Sequence, residues 1–293
     1  LKGVIEALLK EHEKTLANIA EYNEILSNRA AMAKVIIREL EAYKKEYGRP
    51  RRTVIDNLKE AVVEEKKIEE MDVVFLMDRF GYAKTIDMAA YERNREAADA
   101  ENRYVLTCKN TDKICIFTNK GQMHLLKVLD LPFGKFRDKG TPIDNLSNYN
   151  SSEENFVYIT NLGAICNHKL IFGTKMAMLK IVDGSEFDVA KRTTAATKLT
   201  DGDEVLLVHP VAGNETIVMQ SERDFFLRIA VDSIPEKKKG AVGVRGMRLA
   251  DGDALTAIHL LGEGESVQTE VKGKSVMLNR LHVAGRDTKG TKK

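Results

Sequence analysis

The sequence predicts a mainly β chain: five short strand–turn–strand units in series, a five-bladed β-pinwheel (propeller-like), preceded by an N-terminal α-helical segment. Two internal echoes and one change of period carry that expectation. Lys198-Leu199-Thr200-Asp201-Gly202-Asp203 returns fifty residues later as Arg248-Leu249-Ala250-Asp251-Gly252-Asp253, each copy followed by an apolar run. Self-similarity at a fixed period marks a repeat architecture. Residues 73–81 (VVFLMDRFG), 113–121 (KICIFTNKG) and 155–163 (NFVYITNLG) share a second template, an apolar run, a polar pair, one variable residue and a glycine. A fourth copy lies over 217–224 with Asp224 replacing the glycine, and a weaker fifth ends at Gly273. An apolar run, a turn glycine and a second apolar run form a hairpin signal, and five such units suggest a ring of small sheets. Near residue 70 the hydrophobic period drops from 3.6 towards 2.

In chain order, Leu1, Val4, Ile5, Leu8, Leu9, Leu16, Ile19, Ile25 and Leu26 recur at helical spacing among Lys and Glu, an amphipathic helix about 40 Å long. Ser27-Asn28 supplies an N-cap for a second helix carrying Met32, Val35, Ile36, Leu40 and Tyr43, and Gly48 and Pro50 stop it. Leu1 falls in the middle of this pattern, as expected for a piece of a longer polypeptide. The chain thus divides into a helical segment over 1–50, a linker over 51–70 and the β-rich part over 71–293. In the linker Arg51-Arg52-Thr53-Val54-Ile55 suits a short strand and 56–70 is charged and helix-prone; the basic end, 286–293, reads as a flexible tail.

Composition limits the function. A net charge of +2 over 293 residues gives no global basicity, whereas 102–153 and 255–293 each hold a +3 excess, so any polyanion contact is a patch. The three cysteines lack a pairing or metal-binding pattern, which fits a reducing, cytoplasmic compartment. No segment reaches membrane-spanning length, so no membrane partner is expected. The two Asp-Gly-Asp stretches lack the oxygen donors of a calcium loop and read as turns, and the six scattered histidines form no catalytic or metal constellation. Gly240-Ala-Val-Gly243-Val-Arg-Gly246 lacks the endings of a nucleotide loop, but it is flanked by Lys237, Lys238, Lys239, Arg245 and Arg248; it reads either as a phosphate-contacting loop or as a solvated one.

The functional signal is positional. After each turn residue a cation follows within three to seven positions: Lys84, Lys127, Lys169, Arg228 and Arg280. More lie in the loops beyond: Arg93 and Arg95, then Lys135, Arg137 and Lys139, then Lys175 and Lys180, then Lys237 to Lys239, with Arg286 near the end. On a ring of blades these would form a basic rim, the footprint of a protein that binds and bends duplex DNA through its backbone. Two alternatives stand beside it: a propeller that serves as a protein-interaction platform, and an enzyme with a central-channel site.

The order of these elements resembles the C-terminal part of the A subunits of bacterial type IIA topoisomerases, gyrase and topoisomerase IV. Ile25-Leu26, Arg38-Glu39-Leu40, Tyr47-Gly48 and Arg51-Arg52-Thr53 resemble the helices leaving the coiled-coil exit gate and the strand that follows. Phe80-Gly81-Tyr82-Ala83-Lys84 is similar to the first-blade Gly-Tyr-x-Lys, and Phe117-Thr118-Asn119-Lys120-Gly121 with Lys139-Gly140-Thr141-Pro142-Ile143 to the second blade. Gly243-Val244-Arg245-Gly246-Met247-Arg248-Leu249 resembles the family's Gly-Val-Arg-Gly segment, and Arg286-Asp287-Thr288-Lys289-Gly290-Thr291-Lys292 the ending of many topoisomerase IV-type chains. The resemblance implies a pinwheel that holds double-stranded DNA for ATP-dependent strand passage. It also implies an A-subunit homodimer and a B subunit that supplies the ATP and Mg2+ chemistry, so no cofactor is expected on this chain. Where gyrase carries a Gln-Arg-Arg-Gly-Gly-x-Gly box, this sequence reads Tyr91-Glu92-Arg93-Asn94-Arg95-Glu96, which points to relaxation and decatenation rather than to negative supercoiling. Arg103-Tyr104 lacks the context of the family's cleaving tyrosine and reads as sheet packing. The expected setting is cytoplasmic and nucleoid-associated.

Overall fold

Strands β1 (Asp72–Asp78) and β2 (Tyr82–Asp87) form the first hairpin, and helices α3 (Met88–Arg93) and α4 (Arg95–Glu101) lead from it to β3 (Asn102–Lys109). They follow two helices, α1 (Lys2–Ser27) and α2 (Arg29–Tyr47). The second hairpin, β4 (Lys113–Thr118) and β5 (Gln122–Lys127), is followed by β6 (Thr141–Pro142), α5 (Ile143–Leu146), β7 (Phe156–Asn161) and α6 (Leu162–Ile165). The third, β8 (Lys169–Thr174) and β9 (Met178–Asp183), leads to β10 (Thr193–Ala195) and β11 (Val205–Val211). The fourth, β12 (Thr216–Ser221) and β13 (Phe225–Ala230), leads to β14 (Val244–Arg245) and β15 (Leu255–Leu261). The last, β16 (Gln268–Val271) and β17 (Lys274–Met277), leads to β18 (Val283–Ala284) and β19 (Thr291–Lys292).

This is a computed structural model; it describes residues 2–53 and 67–293 and divides into two units, 1–67 and 68–293. Val54 and Ile55 of the expected connecting strand, and 56–66 of the charged stretch after it, lie outside the described residues. In the first unit the chain breaks between helices where expected: the Asn28 side chain accepts a hydrogen bond from the Ala30 amide at 2.9 Å, and the Gly48 amide returns to the Lys44 carbonyl at 2.8 Å. Neither helix buries a residue, and Val4, Ile5, Leu8, Leu9 and Leu16 are all more than half exposed.

In the second unit each of the first four hairpins is completed from both sides by later chain. The sheet orders are β3-β1-β2-β6, β10-β5-β4-β7, β11-β8-β9-β14 and β15-β12-β13-β18, with β19 also on β13; β16 and β17 pair only with each other among the described residues. The first strand of a hairpin thus receives the next long strand. The second receives a short strand that arrives only after the following hairpin, so one sheet draws on successive repeats and the blades are laced together. Four blades are four-stranded or larger and the fifth is a bare hairpin.

The central strands read as apolar runs because both their faces are covered. From β1, Val73, Phe75 and Met77 pack with Ile114, Ile116 and Leu126 of the second blade, whereas Val74 and Leu76 pack with Ile86, Ala90 and Ala98. Helices α3 and α4 therefore cap the face of the first blade turned away from the second. Phe117, Phe172 and Phe187 centre the junction of the second and third blades, with Phe117 and Phe187 edge to face at 5.0 Å. Tyr104 lies in β3 opposite Met77 and packs against the first core, as sheet packing requires.

The turns explain the repeat and correct its frame. Gly81, Gly121 and Asp224 hold positive φ (85, 74 and 63°) at the hairpin corners, the left-handed position that ends a three-residue loop, whereas Lys272 and Gly273 (50 and 77°) make a two-residue turn. Gly163 does not: it lies in α6, and 155–163 is the outer strand of the second blade rather than a third hairpin. The third corner is Lys175-Met176-Ala177, with Ala177 at φ 61°, so no glycine announces it in the sequence. The Asp-Gly-Asp echoes are turns that dock on these corners. Gly202 and Gly252 have φ of 77 and 71°, and the buried Asp203 carboxylate accepts the Met176 amide at 2.9 Å.

Candidate nucleic-acid interface

The segments that cross from one hairpin to the sheet of the preceding one run over the outside of the blades, and they gather cations. Residues 131–140 (LPFGKFRDKG), 234–243 (IPEKKKGAVG) and 281–290 (LHVAGRDTKG) occupy equivalent places. Each starts after a short 3-10 turn, bridges the second hairpin strand in parallel (Thr85 to Phe133, Ile181 to Glu236, Arg228 to Val283), makes an outward excursion and returns to pair with that strand. The return brings Gly140, Gly243 and Gly290 against the carbonyls of Ala83, Leu179 and Phe226; a Cβ at Gly243 would lie 2.5 Å from the Leu179 oxygen. The Gly-Val-Arg-Gly segment is therefore a close-packed strand entry. In the second blade the crossover has no excursion: the Leu125 amide bonds the Arg192 carbonyl at 2.8 Å and β10 pairs at once with β5.

The excursions carry Lys135, Arg137 and Lys139 on the first blade, and Lys237, Lys238 and Lys239 on the third. Lys135, Arg137 and Lys139 are all exposed, with the Lys139 ammonium 4.5 Å from the centre of the Tyr82 ring. The 237–239 run is less free. Lys238 stands out in solvent at 88% side-chain exposure, but Lys237 is half-buried and Lys239 donates to the Glu186 carbonyl at 2.9 Å. Beside the fourth blade, Arg245 and Arg248 approach the Asp287 carboxylate at 3.5 and 3.8 Å, two guanidiniums on one carboxylate, and a third, that of Arg286, donates to the Arg245 carbonyl at 3.0 Å. That leaves a net positive cluster suited to a phosphate oxygen.

The strand cations do not form the uniform stripe that counting from the turns predicts. With the third corner moved to Ala177, Lys169 precedes its hairpin corner. It is paired at 2.9 Å with both Glu236 and Asp183, which push its ammonium pKa up; the Lys169 ammonium and the Ser185 amide and hydroxyl in turn hold the Asp183 carboxyl far below the usual range. Lys84 and Lys180 lie three positions after their corners, with their ammonium groups turned onto main-chain carbonyls; Lys180 is only 1% exposed. Arg228 lies one position further along and donates to the carbonyls of Asn279 and Leu281 at 2.7 and 3.1 Å. Lys127 and Arg280 are exposed at strand and turn ends, and Lys175 is half-buried at the third corner. Arg93 is exposed on α3, whereas Arg95 pairs with Glu92 and lies over the Tyr91 ring.

The structure adds cations that the turn-counting missed: Lys191 and Arg192 on the second-blade crossover, and Lys289 and Lys292 on the last, both over the Phe225 ring at 5.0 and 5.8 Å. Lys289 is the counterpart of Lys139, and Phe225 of Tyr82. The sequence held a sign of it, the shared Lys-Gly-Thr at 139–141 and 289–291.

Interlaced four-stranded blades with cationic crossovers define a propeller-class repeat domain. A family model described as the DNA gyrase C-terminal domain, β-propeller, matches residues 168–212 and 215–261, which span the third and fourth repeats from the first hairpin strand to the outer strand. The DNA gyrase A protein of Lawsonia intracellularis is 30% identical over 97% of this chain, which covers 37% of that protein. The C-terminal domain of DNA topoisomerase IV superposes with a TM-score of 0.69 at 21% identity, over 76% of this chain and 73% of that one. A DNA gyrase A C-terminal domain gives 0.51 at 16% identity, over 75 and 76%; at these identities the likeness is one of fold. The chain resembles the C-terminal part of the gyrase and topoisomerase IV A subunits, with a β-pinwheel whose third and fourth repeats match the gyrase C-terminal domain model. It spans about a third of the length of the curated relatives it matches.

Proposed function

We propose that this chain binds and bends duplex DNA along its crossover loops, positioning it for ATP-dependent strand passage by the intact topoisomerase. The observation that carries this reading is the repetition of exposed cations on the crossover loops: Lys135, Arg137 and Lys139; Lys191 and Arg192; Lys238; Lys289. Cations repeated from blade to blade suit a regular phosphate backbone, and contacts of this kind carry no sequence information. In the intact enzyme the A subunits would pair as a homodimer, with the exposed apolar stripe of α1 as part of the exit-gate coiled coil, and a B subunit would supply ATP and Mg2+ chemistry. The working setting would be the cytoplasm, on the nucleoid. The helices capping the first blade, in place of a glycine-rich box, favour relaxation and decatenation over chiral wrapping. Among the described residues no helix is long and apolar enough to cross a membrane.

The test is binding of the 293-residue chain to linear duplexes of increasing length at two salt concentrations. Affinity that falls steeply with salt and rises with length to a plateau is expected for a bending rim. No binding at low salt would remove DNA as the direct ligand and leave a protein-contact platform.

A further inference from the structure

Lys84 and Lys180 share a position that the rim reading leaves unexplained. Both sit three residues after a hairpin corner, and both turn inward. The Lys84 ammonium donates to the carbonyl oxygens of Phe136 and, at 2.5 Å, Asp138; that of Lys180 donates to Lys238, Lys239 and Ala241 at 3.2, 2.8 and 2.9 Å. The shared acceptors are equivalent: Phe136 and Asp138 lie five and seven residues after Leu131, Lys239 and Ala241 five and seven after Ile234. Each ammonium also lies near an aromatic ring, Phe136 at 5.3 Å and Phe172 at 5.4 Å.

The comparison within the molecule decides what the lysine is for. The second-blade crossover makes no excursion, and there the same position is His124, which bonds the side chains of Thr193 at 2.9 Å and Glu154 at 2.7 Å. On the fourth blade the position is Leu227, and the excursion is held from outside, by the Arg248 amide on the Thr288 carbonyl at 2.9 Å and the Asp287 amide on the Gly246 carbonyl at 2.8 Å. The buried lysine occurs where an excursion carries a run of cations and has to be gathered from below. An ammonium offers three donors and no acceptor, so it suits converging carbonyls. Drawing the carbonyls inward turns the side chains of Lys135, Arg137, Lys139 and Lys238 out to solvent.

We propose that Lys84 and Lys180 are positioning residues for DNA binding, main-chain pins that fix the two cationic crossover loops without touching phosphate themselves. This rests on the DNA-binding reading, and the test separates the two.

Lys84→Met and Lys180→Met keep side-chain length and remove the donors. In the full chain, trypsin cleavage within 135–139 and within 237–239 reports loop order, alongside duplex affinity over a salt series. Lys84→Met is expected to speed cleavage of the first loop about tenfold with the second unchanged, and Lys180→Met the reverse. DNA affinity should fall several-fold in each, with the salt slope unchanged. A slope shallower by about 0.9 with undisturbed loops would make the lysine a direct phosphate ligand and overturn the proposal. Unchanged cleavage of a variant's own loop would overturn it as well. Should Lys180→Met fail to fold, as a fully buried cage allows, the half-exposed Lys84 decides by the same readouts. If the unaltered chain binds no DNA, the DNA-binding reading falls, while the cleavage pattern still decides whether the lysines pin the loops.

Discussion

The two cationic excursions look alike in sequence yet differ in the charge they have free, and this gives a quantitative prediction. Lys135→Ala, Arg137→Ala and Lys139→Ala together remove three exposed cations, whereas Lys237→Ala, Lys238→Ala and Lys239→Ala remove one exposed cation, one half-buried and one bonded to the Glu186 carbonyl. Each phosphate neutralised adds about 0.9 to the slope of log affinity against log salt. The first triple variant should therefore have a slope shallower by up to about 2.7, and the second by about 0.9. Between about 50 and about 150 mM salt, those differences correspond to about twentyfold and about threefold less salt-driven loss of affinity. Fluorescence anisotropy with a labelled duplex long enough to reach the binding plateau, over a salt series, measures both slopes. Equal slopes, or a larger change from the 237–239 variant, would refute the assignment of contacts by exposure, and with it the claim that caged and bonded cations stay on the protein.

Three further expectations concern stability. Gly243→Ala would place a Cβ 2.5 Å from the Leu179 carbonyl oxygen and should cost about 2 kcal/mol in urea unfolding, while Gly240→Ala, with nothing within 4 Å, should stay within about 1 kcal/mol of the parent; equal effects would argue against the close strand entry. Phe117→Ala empties the centre of the aromatic cluster with Phe172 and Phe187 and should cost about 3–5 kcal/mol, read as a fall in Tm of about 10 °C; a fall of a degree or two would mean that the blade junction does not rest on it. Burial pushes the Lys180 ammonium from 10.5 down to about 8, so between these values the unfolded chain holds more protons and stability rises with pH. The gain, at most about 3 kcal/mol, should be seen as a difference in unfolding free energy between the parent and Lys180→Met that grows from pH 8 to 10; a difference independent of pH would place the Lys180 pKa outside that window.

The hairpins were legible wherever a corner had a residue that favours positive φ. Gly81, Gly121, Gly273 and Asp224 all announced themselves, and the apolar runs before them followed from strands covered on both faces. The third corner was not legible, because Ala177 adopts φ 61° without a sequence sign and the real outer strand at 155–163 happens to end near a glycine. The lacing of the blades was invisible for another reason: strands of two or three residues such as β6, β10 and β14 have no period to detect, and their pairing is set by the approach of Gly140 or Gly243 to a distant carbonyl. Among the site residues, cation-rich loops could be read from composition, but burial could not. Lys180 and Lys139 are both lysines near apolar runs; one is enclosed by three carbonyls and the other lies over Tyr82 in solvent, a difference that only the crossover path decides. The Lys-Gly-Thr echo at 139–141 and 289–291 was the missed clue, since it marks the same return strand on two blades.

The crossovers do two jobs at once, which accounts for where the charge lies. A chain that leaves one hairpin to complete an earlier sheet has to travel over the outside, where its backbone can be solvated. It is anchored at both ends, by the parallel bridge on entry (Thr85 to Phe133, Ile181 to Glu236) and by the short strand on return (β6, β14). A loop of seven residues tied at both ends and pinned from beneath has little conformational freedom left to lose when its cations meet a ligand, so more of each contact is available as affinity. The same segments lock one repeat to the next. In a simple solenoid each repeat contacts its neighbours and stability is nearly a sum over repeats; here a sheet is incomplete until the chain beyond the next hairpin has folded back onto it. Order in the cationic loops and order in the blades are therefore one property, and an isolated repeat would hold neither its sheet nor its share of the basic rim.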